Sequence, residues 1–109
     1  MAENSGKSLS NVTVDLKANV YFDGKVVSHT VWEKNGEKKT VGLIYPGAFN
    51  FGTGKPELMQ IVAGKCSVKL KGEDAWKSYS AGQEFRVAGD SSFDIKVDDG
   101  ICEYLCIFI

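Results

Sequence analysis

Turn signals recur along this chain at intervals of about ten residues, at Asp23-Gly24, Asn35-Gly36, Pro46-Gly47, Lys71-Gly72, Ala81-Gly82, Gly89-Asp90 and Asp98-Asp99-Gly100. Between them run short segments that alternate apolar and polar residues, the pattern of half-buried strands. No window keeps the apolar period of an amphipathic helix, and no internal repeat or low-complexity tract interrupts the series. Such punctuation predicts an all-β sandwich or barrel. The expected strands are Lys25 to Glu33, Lys38 to Tyr45, Gly47 to Gly52, Glu57 to Ala63, Cys66 to Leu70, Ser78 to Tyr79, Glu84 to Ala88, Ser92 to Val97 and Cys102 to Phe108. Ahead of them, Val12 to Leu16 alternates weakly and reads as a short edge strand in a loose tail.

A length of 109 residues holds one domain, here an N-terminal extension over 1–18 and a barrel over 19–109. Thirteen basic against fourteen acidic residues leave a net charge of −1, which gives no general grip on nucleic acid or an anionic membrane. The apolar runs are strand-sized, well short of the ~20 residues of a membrane helix. The polar opening MAENSGKSLSN lacks the apolar centre of a secretory signal, and a cytoplasmic location is expected. Cys66, Cys102 and Cys106 are odd in number and fit no disulfide framework or zinc spacing, so they read as buried thiols.

Strand alternation groups the side chains by face. Phe49, Phe51 and Thr53 share one face, and Glu57, Met59 and Ile61 share one face of the next strand. A carboxylate in phase with Met59 and Ile61 is costly unless it has a partner or a task, which singles out Glu57. The opposite face, Leu58, Gln60 and Val62, is apolar enough to want cover, and a dimer packed sheet against sheet would provide it.

The stretch PGAFNFGTGKPELMQIVAG, residues 46–64, resembles the first motif of the cupins, in which two histidines one residue apart precede a glutamate and then a glycine. Glu57 and Gly64 have that spacing, but Phe51 and Thr53 occupy the histidine positions. In the segment from Gly82 to Phe93, which resembles the second motif, Phe93 stands at the histidine position. The resemblance implies a single-domain, jelly-roll-like cupin barrel. One carboxylate among three non-ligands does not make a divalent metal site, so neither a metal nor another cofactor is expected. His29, the sole histidine, lies far from both motifs in sequence and reads as structural or surface.

A closer resemblance runs from Asn19 to Ile109. Its carriers are Asn19-Val20-Tyr21-Phe22-Asp23-Gly24-Lys25-Val26, Pro46-Gly47 with Phe49, Phe51 and Thr53, then Pro56-Glu57 and Met59. Trp76, Gly82 with Phe85 and Val87, Ser91 with Phe93, and Tyr104-Leu105-Cys106 complete it. These residues are similar to those of the pyrimidine/purine nucleoside phosphorylases, a family of short single-cupin proteins. The resemblance implies phosphate-dependent cleavage of purine and pyrimidine nucleosides to free base and pentose 1-phosphate by a metal-free homodimer. The residues before Asn19 and Ala88 depart from the shared pattern.

Such a reaction needs three kinds of group. Phosphate needs cations and neutral donors, for which Arg86, Lys25, Thr53 and Ser91 are candidates. The ribose hydroxyls and the cationic sugar of the transition state need a carboxylate, for which Glu57 is the candidate. The base needs faces to stack on, and Phe49, Phe51, Phe93, Tyr21 and Tyr104 offer them without regard to base identity. Phe49, Phe51 and Phe93 also suit a barrel core, and Arg86 alternates onto the face opposite Phe85 and Val87, where a surface or dimer role fits equally. The lysines at 38, 39, 65, 69 and 71 read as solvated strand edges. A non-catalytic cupin binding a sugar-like or nucleotide-like ligand is the alternative. A metal-free sugar isomerase would require His29 to reach the pocket.

Overall fold

The computed structural model describes residues 8–109, so the first seven residues of the expected extension lie outside it. Eleven strands form among the described residues: β1 (Thr13–Val14), β2 (Asn19–Tyr21), β3 (Val26–Trp32), β4 (Lys38–Ile44), β5 (Gly47–Gly52), β6 (Glu57–Ala63), β7 (Lys65–Leu70), β8 (Lys77–Ser80), β9 (Glu84–Val87), β10 (Ser92–Val97) and β11 (Cys102–Phe108). All pairings are antiparallel, and they make two sheets that face one another across the core, a jelly-roll barrel of the cupin type. The larger sheet runs β1-β3-β4-β11-β6-β9, with β2 beside β1 on the same edge of β3, and the smaller runs β5-β10-β7-β8.

The expected strands are present, and four of them, β5, β6, β10 and β11, have the expected bounds. The strand β2 was not anticipated, whereas the turn after it falls at the expected Asp23-Gly24 signal. At that turn Phe22 (φ 52°) and Asp23 (φ 55°) are both left-handed ahead of Gly24 (φ 88°). A left-handed aromatic residue is disfavoured by about 1–2 kcal/mol, and here the Phe22 ring packs on Phe49 and Phe51 at 4.9 and 5.4 Å between centroids.

Each sheet buries one face. Val26, Ile44, Val68, Ile95 and Cys102 are the most completely enclosed side chains, with Met59, Ile61, Phe85 and Phe93 packed around them. At about 1.5–3 kcal/mol for each large apolar side chain, this shared interior is what holds the sheets together. Cys66, Cys102 and Cys106 are buried free thiols. On the outer face of the larger sheet, Val27, Val41, Leu43, Val62 and Leu105 form an apolar surface along which Leu9, Val12 and Val14 lie. His29 belongs to this outer face, its Nδ1 3.1 Å from the Asp15 carbonyl oxygen. Among the described residues no helix is long and apolar enough to cross a membrane.

Candidate active site

The register turns the inner face of the larger sheet into a grid. Alternation along β3 sends Val26, Ser28 and Thr30 inward, and pairing sets Ile44, Gly42 and Thr40 of β4 beside them. On β11, Cys102, Tyr104 and Cys106 continue the same rows, and Ile61 and Met59 of β6 follow. The next row holds Lys38 of β4, Phe108 of β11 and Glu57 of β6, with Glu57 directly paired to Phe108. The sheet floor therefore passes from an apolar row through hydroxyls to a charged row.

The smaller sheet supplies the opposite wall. Phe51 and Phe93 are register partners in β5 and β10, and their rings stack at 5.8 Å with an interplanar angle of 26°. Phe85 meets Phe93 edge-on at 5.9 Å, and Tyr21 meets Phe51 edge-on at 5.9 Å. Between wall and floor lies an open cavity of about 530 Å³, within the usual range for a small-molecule site.

Polar groups on the floor are held by one another. The Asn19 amide donates to the hydroxyls of Ser28 (3.3 Å) and Thr30 (3.1 Å). Ser28 in turn shares a hydrogen bond with the Tyr104 phenol, whose burial pushes its pKa up to about 12 and keeps it a neutral donor. Gly42 leaves room for that ring, since a Cβ there would stand 2.7 Å from Cζ of Tyr104. In the neighbouring row the Thr40 hydroxyl and the Cys106 thiol share one hydrogen bond, and that thiol and the Glu57 carboxylate share another. Partial burial raises the pKa of Glu57 above the ordinary carboxylate value, against the opposing influences of the Cys106 hydrogen bond and the Lys38 charge. Burial and the nearby Glu57 charge both hold Cys106 up as a neutral thiol.

The residues expected from sequence divide into two groups. Tyr21, Phe51, Glu57, Phe93 and Tyr104 all line the cavity. Phe49 sits just behind it in the core, against Phe22. Lys25, Thr53, Arg86 and Ser91 are not among the lining residues. Lys25 is exposed where the left-handed turn meets β3, and exposed Arg86 pairs with Leu58 on the outward side of β9. Thr53 and Ser91 meet each other instead: the Thr53 hydroxyl donates to the Ala88 carbonyl (2.6 Å) and accepts from the Ser91 amide (3.0 Å). That hydroxyl is used to tie the segment before β10 to the turn after β5.

Asn19, Phe22, Ser28, Thr30, Lys38, Thr40, Cys106 and Phe108 also line the cavity and were not named as site residues from sequence, although Asn19, Phe22 and Cys106 carry the family resemblance. For Lys38 the signal was there. It is in phase with the buried Ile44, whereas Lys39 alternates outward and pairs with Glu33 at 2.9 Å. Lys38 thus lines the cavity while staying exposed to solvent at the strand end, as expected of a solvated edge residue. Among the described residues no three His, Cys, Asp or Glu side chains gather where they could hold a metal ion.

Two facing antiparallel sheets around an open, aromatic-walled cavity define a cupin-type barrel, and comparison with solved structures agrees. An oxalate decarboxylase of Bacillus subtilis superposes with a TM-score of 0.72 at 16% identity, over 98% of this chain and 31% of that one, a likeness of fold alone. Nearer in sequence is a crystallised protein of unknown function from an Acinetobacter strain, with a TM-score of 0.91 and 40% identity over 94% of this chain and 98% of the other. The pattern of the pyrimidine/purine nucleoside phosphorylase family matches residues 16–108, and the chain belongs to that family. Relatives of that name from Methylobacillus flagellatus and Burkholderia vietnamiensis are 58% and 52% identical, covering 90% and 96% of this chain and 94% and 98% of their own lengths.

Proposed function

We propose that this protein is a nucleoside phosphorylase that cleaves the N-glycosidic bond of purine and pyrimidine nucleosides with inorganic phosphate, releasing free base and (deoxy)ribose 1-phosphate. The observation that carries this reading, beside family membership, is the placement of one half-buried carboxylate, Glu57, across a cavity from the stacked pair Phe51 and Phe93. The aromatic wall offers the base a surface without demanding a particular hydrogen-bonding edge, which suits a broad range of bases. Tyr21 and Phe22 extend that surface, and Tyr104 with Asn19 offers neutral hydrogen-bonding groups on the floor.

In the reaction an oxygen of hydrogen phosphate bonds to the anomeric carbon as the bond to the base nitrogen breaks. The electron pair of the broken bond leaves with the base, and the phosphate proton ends on the base nitrogen, so atoms and charge balance. Positive charge develops on the sugar in the transition state. Glu57, ionised and only partly solvated, stabilises that charge and accepts hydrogen bonds from ribose hydroxyls. The thiol of Cys106 fixes the carboxylate's direction, so less reorganisation is needed as charge develops. The apolar outer face of the larger sheet supports assembly as a homodimer, in which a second copy would cover Val41, Leu43 and Val62.

The test is release of free base from uridine and adenosine by the purified, chelator-treated protein, with and without phosphate, beside Glu57→Gln. Base release that requires phosphate, survives the chelator and falls at least a hundredfold in the variant bears the reading out. Absence of base release from any common nucleoside leaves a ligand-binding cupin as the better account.

A further inference from the structure

We propose that Lys38 is the cation that holds the phosphoryl anion, at the end of the cavity where Lys38, Phe108 and Glu57 stand side by side. The identity of that anion as a co-substrate rests on the phosphorylase reading; the site itself rests on geometry. Lys38 is the sole cationic side chain among the described residues that line the cavity. Its direction is set by the sheet, because Ile44 and Thr40 of the same strand also face inward. Its Nζ lies 5.1 Å from the centroid of the Phe108 ring, which steers the ammonium without neutralising it. Among the described residues no carboxylate comes within ion-pair distance of it.

The ammonium, exposed to solvent at the mouth of the cavity, is therefore open to an anionic ligand. Adjacent strands are about 4.8 Å apart, so Lys38 and Glu57, separated by β11, spring from backbones roughly 10 Å apart. A pentose fits between them. An anion at Lys38 and the carboxylate of Glu57 would then approach a cationic anomeric carbon from two sides, and their mutual repulsion is offset by the Lys38 ammonium and by the positive charge that develops between them. The hydroxyl of Thr40, next inward from Lys38 on the same face, lies within the same part of the lining. The phosphate of a nucleoside monophosphate has the same chemistry as inorganic phosphate and would be drawn to the same lysine.

Calorimetric titration with inorganic phosphate, and separately with uridine 5′-monophosphate, tests the assignment on the wild type, Lys38→Met, Lys38→Arg and the outward-facing control Lys39→Met. Inorganic phosphate should bind the wild type and Lys39→Met alike, at least tenfold more weakly to Lys38→Met, and within a few-fold of wild type to Lys38→Arg. The KM for phosphate in base release should rise in step for Lys38→Met, with an unchanged melting temperature. Undetectable phosphate binding by the wild type, undiminished binding by Lys38→Met, or an effect confined to the monophosphate would overturn the assignment. Phosphate-dependent base release with an unaltered phosphate KM in Lys38→Met sinks the Lys38 site alone. Phosphate binding through Lys38 without any base release sinks the phosphorylase reading alone.

Discussion

The ring of Tyr104 lies flat over Gly42, with Cζ and the phenol oxygen each 2.7 Å from where a glycine Cβ would stand. A strand-centre glycine normally weakens a sheet, and here its missing side chain lets the phenol reach Ser28 across β4. Gly42→Ala should push the ring off the floor and cost about 1–3 kcal/mol, the usual range for overpacking. Chemical denaturation measures the loss, and a lowered phenol pKa in ultraviolet titration would report that the ring had gained solvent.

Gly64 closes the turn between β6 and β7 at φ 76°, and a Cβ there would run into the backbone carbonyl oxygen of Ile101. Neither atom is a flexible side-chain end, so strain and clash act together. Gly64→Ala should therefore destabilise by more than Gly42→Ala, about 2–4 kcal/mol. A smaller loss than that of Gly42→Ala in the same denaturation series would show that the Ile101 segment yields easily.

Removing the hydroxyl of Thr53 leaves the Ser91 amide and the Ala88 carbonyl without their partner. Thr53→Val should cost about 1–2 kcal/mol, while Thr53→Ser, which keeps the oxygen, should cost less. Hydrogen exchange at the Ser91 amide locates the effect: it should speed up in the valine variant and stay slow in the serine one.

The pH dependence of base release should carry the signature of Glu57. The catalytic form is the ionised one, so activity falls as pH drops through its pKa, which burial places above the ordinary carboxylate value. The Cys106 hydrogen bond favours the ionised form, and Cys106→Ala, which removes it, should move this acid limb to higher pH, whereas Cys106→Ser should restore it. An acid limb that stays in place in the alanine variant would disconnect the thiol from the carboxylate.

The same shift has a consequence for stability. Because the folded pKa of Glu57 lies above the unfolded one, the folded chain binds more protons between the two values, and stability falls as pH rises through that window. Above its folded pKa the wild type bears the whole penalty. Glu57→Gln should accordingly melt higher than wild type near neutrality, with the gap closing in acid below the ordinary carboxylate pKa. An equal gap at both pH values would mean that packing, not ionisation, sets it.

Much of the barrel was legible because turn glycines and strict alternation leave few ways to fold. The ends of β5, β6, β10 and β11 coincide with abrupt changes in that pattern. The strand β2 was not legible, since three residues before a left-handed turn carry no alternation to read and Phe22 is an improbable residue for such a turn. In the cavity, Glu57, Phe51 and Phe93 stood out as polar or aromatic exceptions within readable strands. Ser28 and Thr30 did not, because both faces of β3 are half apolar and Val27, His29 and Val31 offered an equally plausible inner set. Lys38 was passed over because a lysine at a strand end is ordinarily a solubilising charge. The phosphate candidates Arg86, Lys25, Thr53 and Ser91 were chosen for chemistry and resemblance; alternation already set Arg86 opposite Phe85 and Val87, and tertiary structure keeps all four off the cavity lining.

The central position of β11, between β4 and β6, bears on how the protein is made. This last strand of the fold supplies the hydrogen-bonding partner of two strands whose paired residues precede its own by about forty to seventy positions. While the ribosome is still extending the chain, β4 and β6 have no shared neighbour, and the floor that carries Tyr104, Cys106 and Phe108 does not exist. Vectorial, segment-by-segment folding is thereby precluded for the larger sheet, and nascent chains stalled before Cys102 should remain protease-sensitive however long they wait.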